Sequence, residues 1–168
     1  MMIQNIQREQ ADDFWKLRLE ALRLHPEAFG SSYEEQVRIP MDEVPLKINS
    51  QPDNYILGAF SEENDLMGMA GFRREQSMKV RHKGMIWGVY VSHEHRGLGI
   101  ARKLMQEILR RGKEIEGLQQ IQLTVVTSNH TAAELYKRLG FVTYGIEKDA
   151  LIYQGQAYDE ELMAYFLK

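Results

Sequence analysis

Apolar residues at Phe14, Leu17, Ala21 and Leu22 recur at helical spacing, and the pattern predicts an amphipathic helix over residues 11–25 that Pro26 stops. Ahead of it, residues 3–7 read as a short strand. The apolar runs 55–60 and 66–72 flank the polar Glu62-Glu63-Asn64-Asp65, a strand, turn, strand pattern with residues suited to a turn. Residues 84–91 predict a third strand that extends this antiparallel meander. Ile100, Leu104, Ile108, Leu109 and Ile115 return to helical spacing, with Arg102, Lys103, Arg110 and Arg111 largely opposite, and predict a helix that ends at Gly117. Residues 121–126 then read as a strand, so the strand-helix-strand unit should be a parallel, right-handed crossover. A short helix over 131–139 is closed by Gly140 as a left-handed cap, and 141–146 and 161–167 read as the last strands, with Gly155 in their connection. Between residues 27 and 51 the pattern is mixed. There Ser31-Ser32 suit a capped turn and Pro40 a helix start over 41–49, and such a segment suits flexible substrate contacts.

The 168 residues, 43% hydrophobic and 27% charged, suit one domain over 1–168 with its own core. A net charge of −3 argues against a broad nucleic-acid footprint, and no apolar run approaches the roughly 20 residues of a membrane span. The absence of cysteine rules out a disulfide scaffold, a cysteine-ligated zinc and a cysteine nucleophile. The N-terminal residues carry no basic-then-apolar pattern, so the expectation is a cytoplasmic protein.

The chemistry gathers where the third strand ends. Val89-Tyr90-Val91 run into Ser92-His93-Glu94-His95-Arg96-Gly97-Leu98-Gly99-Ile100-Ala101-Arg102, an extended segment passing through a glycine turn into a helix. A helix start leaves backbone N–H groups without partners and concentrates the positive end of the peptide dipoles, so it suits an anion. Gly97 and Gly99 let a diphosphate approach the backbone, and Arg96 adds a cation at the turn. No Gly-Lys-Ser/Thr sequence follows, which excludes a triphosphate P-loop, and Arg102 stands where a dinucleotide fingerprint wants its third glycine. A diphosphate-bearing ligand held beside a strand edge remains. His93 and His95 lack a third ligand nearby, so no metal is expected.

Arg96-x-x-Gly99-x-Ala101 within residues 89–105 resembles the acyl-CoA motif of the GNAT superfamily of N-acyltransferases, and 129–141, from Asn129-His130-Thr131 to Leu139-Gly140-Phe141, resembles that family's second motif. The resemblance implies an α/β (α+β) fold: a twisted, mixed, mostly antiparallel sheet of about six or seven strands, helices on both faces, and a parallel pair splayed at the cofactor cleft. It also implies acetyl-CoA as co-substrate. The N–H groups of Arg96, Gly97, Leu98, Gly99, Ile100 and Ala101 would hold the pyrophosphate, with Arg102 close enough to meet a phosphate. The backbone of Val89, Tyr90 and Val91 would bind the pantetheine like an added strand. Asn129 would bond the cofactor arm and Tyr136 would lie near the thioester sulfur.

Tyr136 makes chemical sense apart from the resemblance. A phenol with pKa about 10 can protonate a departing thiolate, a contribution of roughly 10²–10⁴ in rate. Its spacing from Leu135 and Leu139 also suits plain core packing, and Asn129 suits a helix cap as well as a ligand. Trp87 and Tyr90, three apart, should face opposite sides of their strand. Residues 84–91 contain no acid to serve as base, and Glu34, Glu35, His82, Glu147 or a water chain are the candidates. The expected reaction is acetyl transfer to a primary amine of a small metabolite or peptide by direct attack in a ternary complex. A non-catalytic acyl-CoA-binding module is the alternative, and a homodimer is compatible with either.

Overall fold

The computed structural model describes residues 1–167. The chain runs β1 (Met2–Asn5), α1 (Ala11–Leu24), α2 (Tyr33–Gln36), β2 (Ser50–Gln51), β3 (Asn54–Phe60), β4 (Leu66–Arg74) and β5 (Lys83–Val91). It continues with α3 (Ile100–Gly112), β6 (Gln120–Val126), α4 (His130–Leu139), β7 (Val142–Tyr153) and β8 (Gln156–Phe166). Among the described residues the strands form one eight-stranded sheet in the order β1-β3-β4-β5-β6-β8-β7, with the two-residue β2 appended to β3. Every pairing is antiparallel except β5 with β6.

Two apolar layers cover the sheet. Leu104, Met105 and Ile108 of α3 and Ala133 and Tyr136 of α4 pack with Leu57, Phe72 and Ile121 on one face. On the other, Phe14, Trp15, Leu17 and Ala21 of α1 pack with Ile56, Phe60 and Met69. The four inward positions that the spacing of α1 predicts, Phe14, Leu17, Ala21 and Leu22, are buried, and Ala11, Trp15 and Arg18 are buried with them. Helices therefore lie on both faces, and the mixed, mostly antiparallel sheet matches the expected fold class.

Three elements differ from their sequence reading. α3 ends at Gly112, short of Gly117: the backbone tightens there to Glu114 N–H to Arg111 and Ile115 N–H to Gly112 bonds, and Gly112 packs so closely on β6 that a Cβ would meet Ile121 Cδ1 at 2.7 Å. The chain turns at once to bring Leu118 into the core, and Gly117 (φ +78°) sits in that turn. The β7–β8 hairpin extends through residues 147–160, which read as a connection because their polar residues show no apolar face. Gln154 (φ +49°) and Gly155 (φ +77°) form its two-residue turn, and positive φ at both central positions matches the twist of the strands. Instead of a helix over 41–49, a 3₁₀ turn spans Val44–Lys47. The Ser32 hydroxyl caps α2 by accepting from Glu35 N–H at 3.2 Å, as Ser31-Ser32 suggest.

Candidate active site

The parallel pair separates early. β5 and β6 are in register only at Lys83–Gln120, Gly84–Ile121 and Met85–Gln122. Beyond Met85, β5 stays with β4 as far as Val91–Gly68, while β6 stays with β8 as far as Val126–Glu160. The strands open a cleft of about 1650 Å³ between them, which runs from the α1 side past β5 to the starts of α3 and α4. Ser92 N–H donates to the Met67 carbonyl at 2.9 Å on the β4 side. Because backbone groups alternate along a strand, those of Val91 and Val89 turn to the opposite edge, into the cleft.

The glycine turn stands at one end of this edge. A 3₁₀ turn, His93–His95, leads to Arg96 in extended conformation, then Gly97 (φ +79°) and Gly99 (φ +74°), both in the left-handed region. Gly99 is the residue before the first turn of α3. Among the described residues the backbone N–H groups from Gly97 to Arg102 have no partner, and the first bond of the helix is Lys103 N–H to the Gly99 carbonyl, 3.1 Å. A run of unpaired donors at the positive end of a 13-residue helix suits an anion. Among the described residues no atom lies within 4 Å of a Cβ built at Gly97 or Gly99, so their glycine requirement comes from φ and not from crowding. Arg96, Gly97, Gly99, Ile100, Ala101 and Arg102 line the cleft, whereas the Leu98 side chain is 62% exposed and points away from it.

The Arg96 guanidinium folds back over the strand end. Nε donates to the Val91 carbonyl at 3.4 Å, the group stacks 5.8 Å from the Tyr90 ring centre, and Nη2 lies 2.8 Å from His25 Nε2. A guanidinium has no acceptor, so His25 Nε2 is the acceptor in this contact. Arg96 thereby ties the end of α1 to the glycine turn.

Trp87 and Tyr90 share a face, contrary to the simple alternation expected of them. Gly88 adopts φ +63° and the β4–β5 register shifts between Met69–Tyr90 and Gly71–Trp87, so an extra residue in β5 resets the parity. Ile86, Val89 and Val91 then face the α3 layer, and Trp87 and Tyr90 the α1 layer. The Tyr90 hydroxyl donates to Glu20 at 2.9 Å, and burial together with this carboxylate pushes it up to about 12. Tyr90 lies opposite Met69 on β4, so its backbone belongs to the sheet while its ring walls the α1 half of the cleft.

Tyr136, on α4, lines the cleft and is 7% exposed. Its ring packs 6.0 Å from that of Phe141, and burial pushes its phenol up to about 12, so it is protonated throughout the neutral range. Among the described residues its hydroxyl has no hydrogen-bond partner. Asn129 caps α4 by accepting from Ala132 N–H at 3.2 Å with Oδ1, which leaves its amide nitrogen for the cleft it also lines. Both readings of Asn129 are thus compatible with one geometry.

The candidate bases fall elsewhere. Glu34 accepts from the Tyr153 hydroxyl at 3.0 Å, Glu35 from Ser32 at 2.8 Å, Glu147 lies on the exposed β7, and His82 precedes β5; none lines the cleft. The titratable groups that do include His25, Glu27, Glu160 and Arg18, from α1, the segment after it, and β8. No local pattern marks them in the sequence, since they come from separate segments that tertiary packing brings to one cleft.

Comparison with known proteins agrees with this architecture. An acetyltransferase of the GNAT family from Streptococcus pneumoniae has the same fold, with a TM-score of 0.85 and 23% identity over 99% of each chain. The Salmonella typhimurium protein yncA, whose structure was determined with its cofactor acetyl-CoA, has a TM-score of 0.83 and 19% identity over 100% of this chain and 94% of that one. An N-alpha-acetyltransferase of Sulfurisphaera tokodaii is 37% identical over 59 residues, 35% of each chain, so the likeness spans about a third of that relative. No helix among the described residues is long and apolar enough to cross a membrane. The Acetyltransferase (GNAT) family model matches residues 14–141, and the chain belongs to that family.

Proposed function

We propose that this chain, acting as one domain, transfers the acetyl group of acetyl-CoA to a primary amine in a ternary complex. The observation that carries the reading is the continuity of unpaired backbone donors. The β5 edge at Val89 and Val91, which pairs with no strand among the described residues, leads directly to the open N–H groups of Gly97 to Arg102, in a cleft that also reaches Tyr136. A long ligand with a diphosphate at one end and amide groups along its arm matches that sequence of donors. Acetyl-CoA supplies the activated acyl thioester.

The residues then divide the work. Val89 and Val91 bind the amide arm along the strand edge; Gly97, Leu98, Gly99, Ile100, Ala101 and Arg102 hold the diphosphate through their N–H groups. Arg96 braces the turn against Val91 and α1, and Asn129 offers its amide nitrogen to the arm. Tyr90 walls the acceptor half. Tyr136 keeps a proton on its hydroxyl for the departing thiolate, and its raised pKa keeps that proton in place at neutral pH. The chain has no cysteine to carry the acyl group, which favours direct attack by the amine.

Release of free thiol from acetyl-CoA, followed with a panel of amino acids, polyamines, aminoglycosides and peptides, tests the reading. Amine-dependent release is expected for at least one class. A flat panel with intact acetyl-CoA binding would replace catalysis by binding alone.

A further inference from the structure

Arg18 is the anomaly of the α1 layer. It is the buried charged residue among the described core, 8% exposed, on a helix face otherwise made of Phe14, Trp15, Leu17 and Ala21. Its guanidinium lies between two aromatic rings, 5.2 Å from the Phe29 centre and 5.8 Å from that of Trp87. Among the described residues Nη1 is fully buried and has no hydrogen-bond partner, and the ion pairs lie elsewhere. Stacking satisfies the faces of the cation but not its in-plane N–H groups. A buried guanidinium that lacks an acceptor is costly unless something brings one. Burial pulls Arg18 down only to about 10, so the charge persists at neutral pH.

Its position gives the missing acceptor a place. Arg18 lines the cleft: Nη1 is turned to the β5 bulge, 3.4 Å from where a Cβ of Gly88 would be, and the 8% of the residue that stays exposed is what a group in the cleft meets. The next residue is Val89, whose backbone faces the cleft. A group bound to Arg18 therefore sits beside the point where the acceptor half meets the strand edge, with the apolar rings of Phe29 and Trp87 around it.

We infer that the acceptor amine is a small amino-acid-like molecule whose own carboxylate binds Arg18, with its apolar side chain against Phe29 and Trp87. This rests on the acetyl-transfer reading and narrows its substrate class. A free carboxylate a few bonds from the amine supplies the two acceptor oxygens that a guanidinium fork matches. A peptide N-terminus carries a neutral amide at the same place and leaves the cation unpaired. The unused N–H groups thus discriminate between two acceptors with the same reacting nitrogen.

Matched substrates on the unaltered protein test this: phenylalanine, its carboxamide and 2-phenylethylamine, and the corresponding leucine series, with thiol release read as kcat/KM. The free acids are expected to exceed both partners by about 10-fold or more, the size of hydrogen bonds to a charged group. Arg18→Met should lower kcat/KM for the acids about 30-fold, chiefly through KM, and leave the carboxamides within about 3-fold; Arg18→Lys should recover part of the loss. Acetyl-CoA affinity should be unchanged in both. Equal or faster turnover of the carboxamides or of peptides overturns the inference while acetyl transfer stands, and so does a variant that slows acids and amides alike, which would make Arg18 a packing residue. If Arg18→Met does not fold, Arg18→Lys and the matched series on the unaltered protein decide. Absence of turnover with every amine overturns the acetyl-transfer reading and the inference with it.

Discussion

Replacing Tyr136 by phenylalanine is expected to lower kcat about 10²-fold while acetyl-CoA affinity stays within about 2-fold. The substitution is sharp because it keeps what the ring does for the fold. The phenyl group still packs against Phe141, and the deleted hydroxyl has no hydrogen-bond partner among the described residues, so no buried group is left unpaired. What disappears is a proton held in the cleft. The pH profile gives a second signature. A phenol raised to about 12 is protonated below that value, so ionisation of Tyr136 should not reduce the rate of the unaltered enzyme until the pH approaches 12. Any fall at lower pH belongs to another group. Steady-state kinetics of Tyr136→Phe with an identified amine decides the role: an unchanged kcat would leave Tyr136 as the core aromatic that its spacing also suits.

Gly99→Val should weaken acetyl-CoA binding about 10²-fold, because a β-branched residue at φ +74° is strained by roughly 1–3 kcal/mol. No neighbouring atom lies within 4 Å of the added Cβ, so the fold itself has room for the side chain. The strain is relieved by rotating the turn, which moves the N–H groups of Gly99 and Ile100 out of alignment, and the isopropyl group occupies space a phosphate would use. Calorimetric titration with acetyl-CoA, alongside a denaturation curve, separates the two effects. Unaltered affinity would remove the glycine turn from the binding site.

Much of this was legible in the chain because the features are local. The turn from Val91 to Arg102 and the cap at Gly140 depend on residues within a few positions of each other, and the helical stripes of α1 and α3 report one buried face each. The family resemblance rests on the same local runs. The failures came where tertiary packing decided. Gly88 looks like any strand glycine until its positive φ resets the parity that places Trp87 and Tyr90 together. The β7–β8 hairpin is held by its ladder and its turn, and its polar faces carry no periodic signal. α3 ends where Gly112 meets Ile121, a contact between residues that no period predicts. Arg18 reads as one charge among many on α1, and only the packing of α1 on β5 shows that it is buried and unpaired.

Thermal unfolding with acetyl-CoA, compared with S-acetylpantetheine, which has the thioester and amide arm but no diphosphate, asks directly whether the turn and strand edge form one binding site. Acetyl-CoA at about 100 times its dissociation constant should stabilise the protein by about 2.7 kcal/mol, and S-acetylpantetheine at the same concentration should give little of that gain. Equal shifts from both ligands, or none from acetyl-CoA, would contradict the assignment of Gly97 to Arg102 as the diphosphate site.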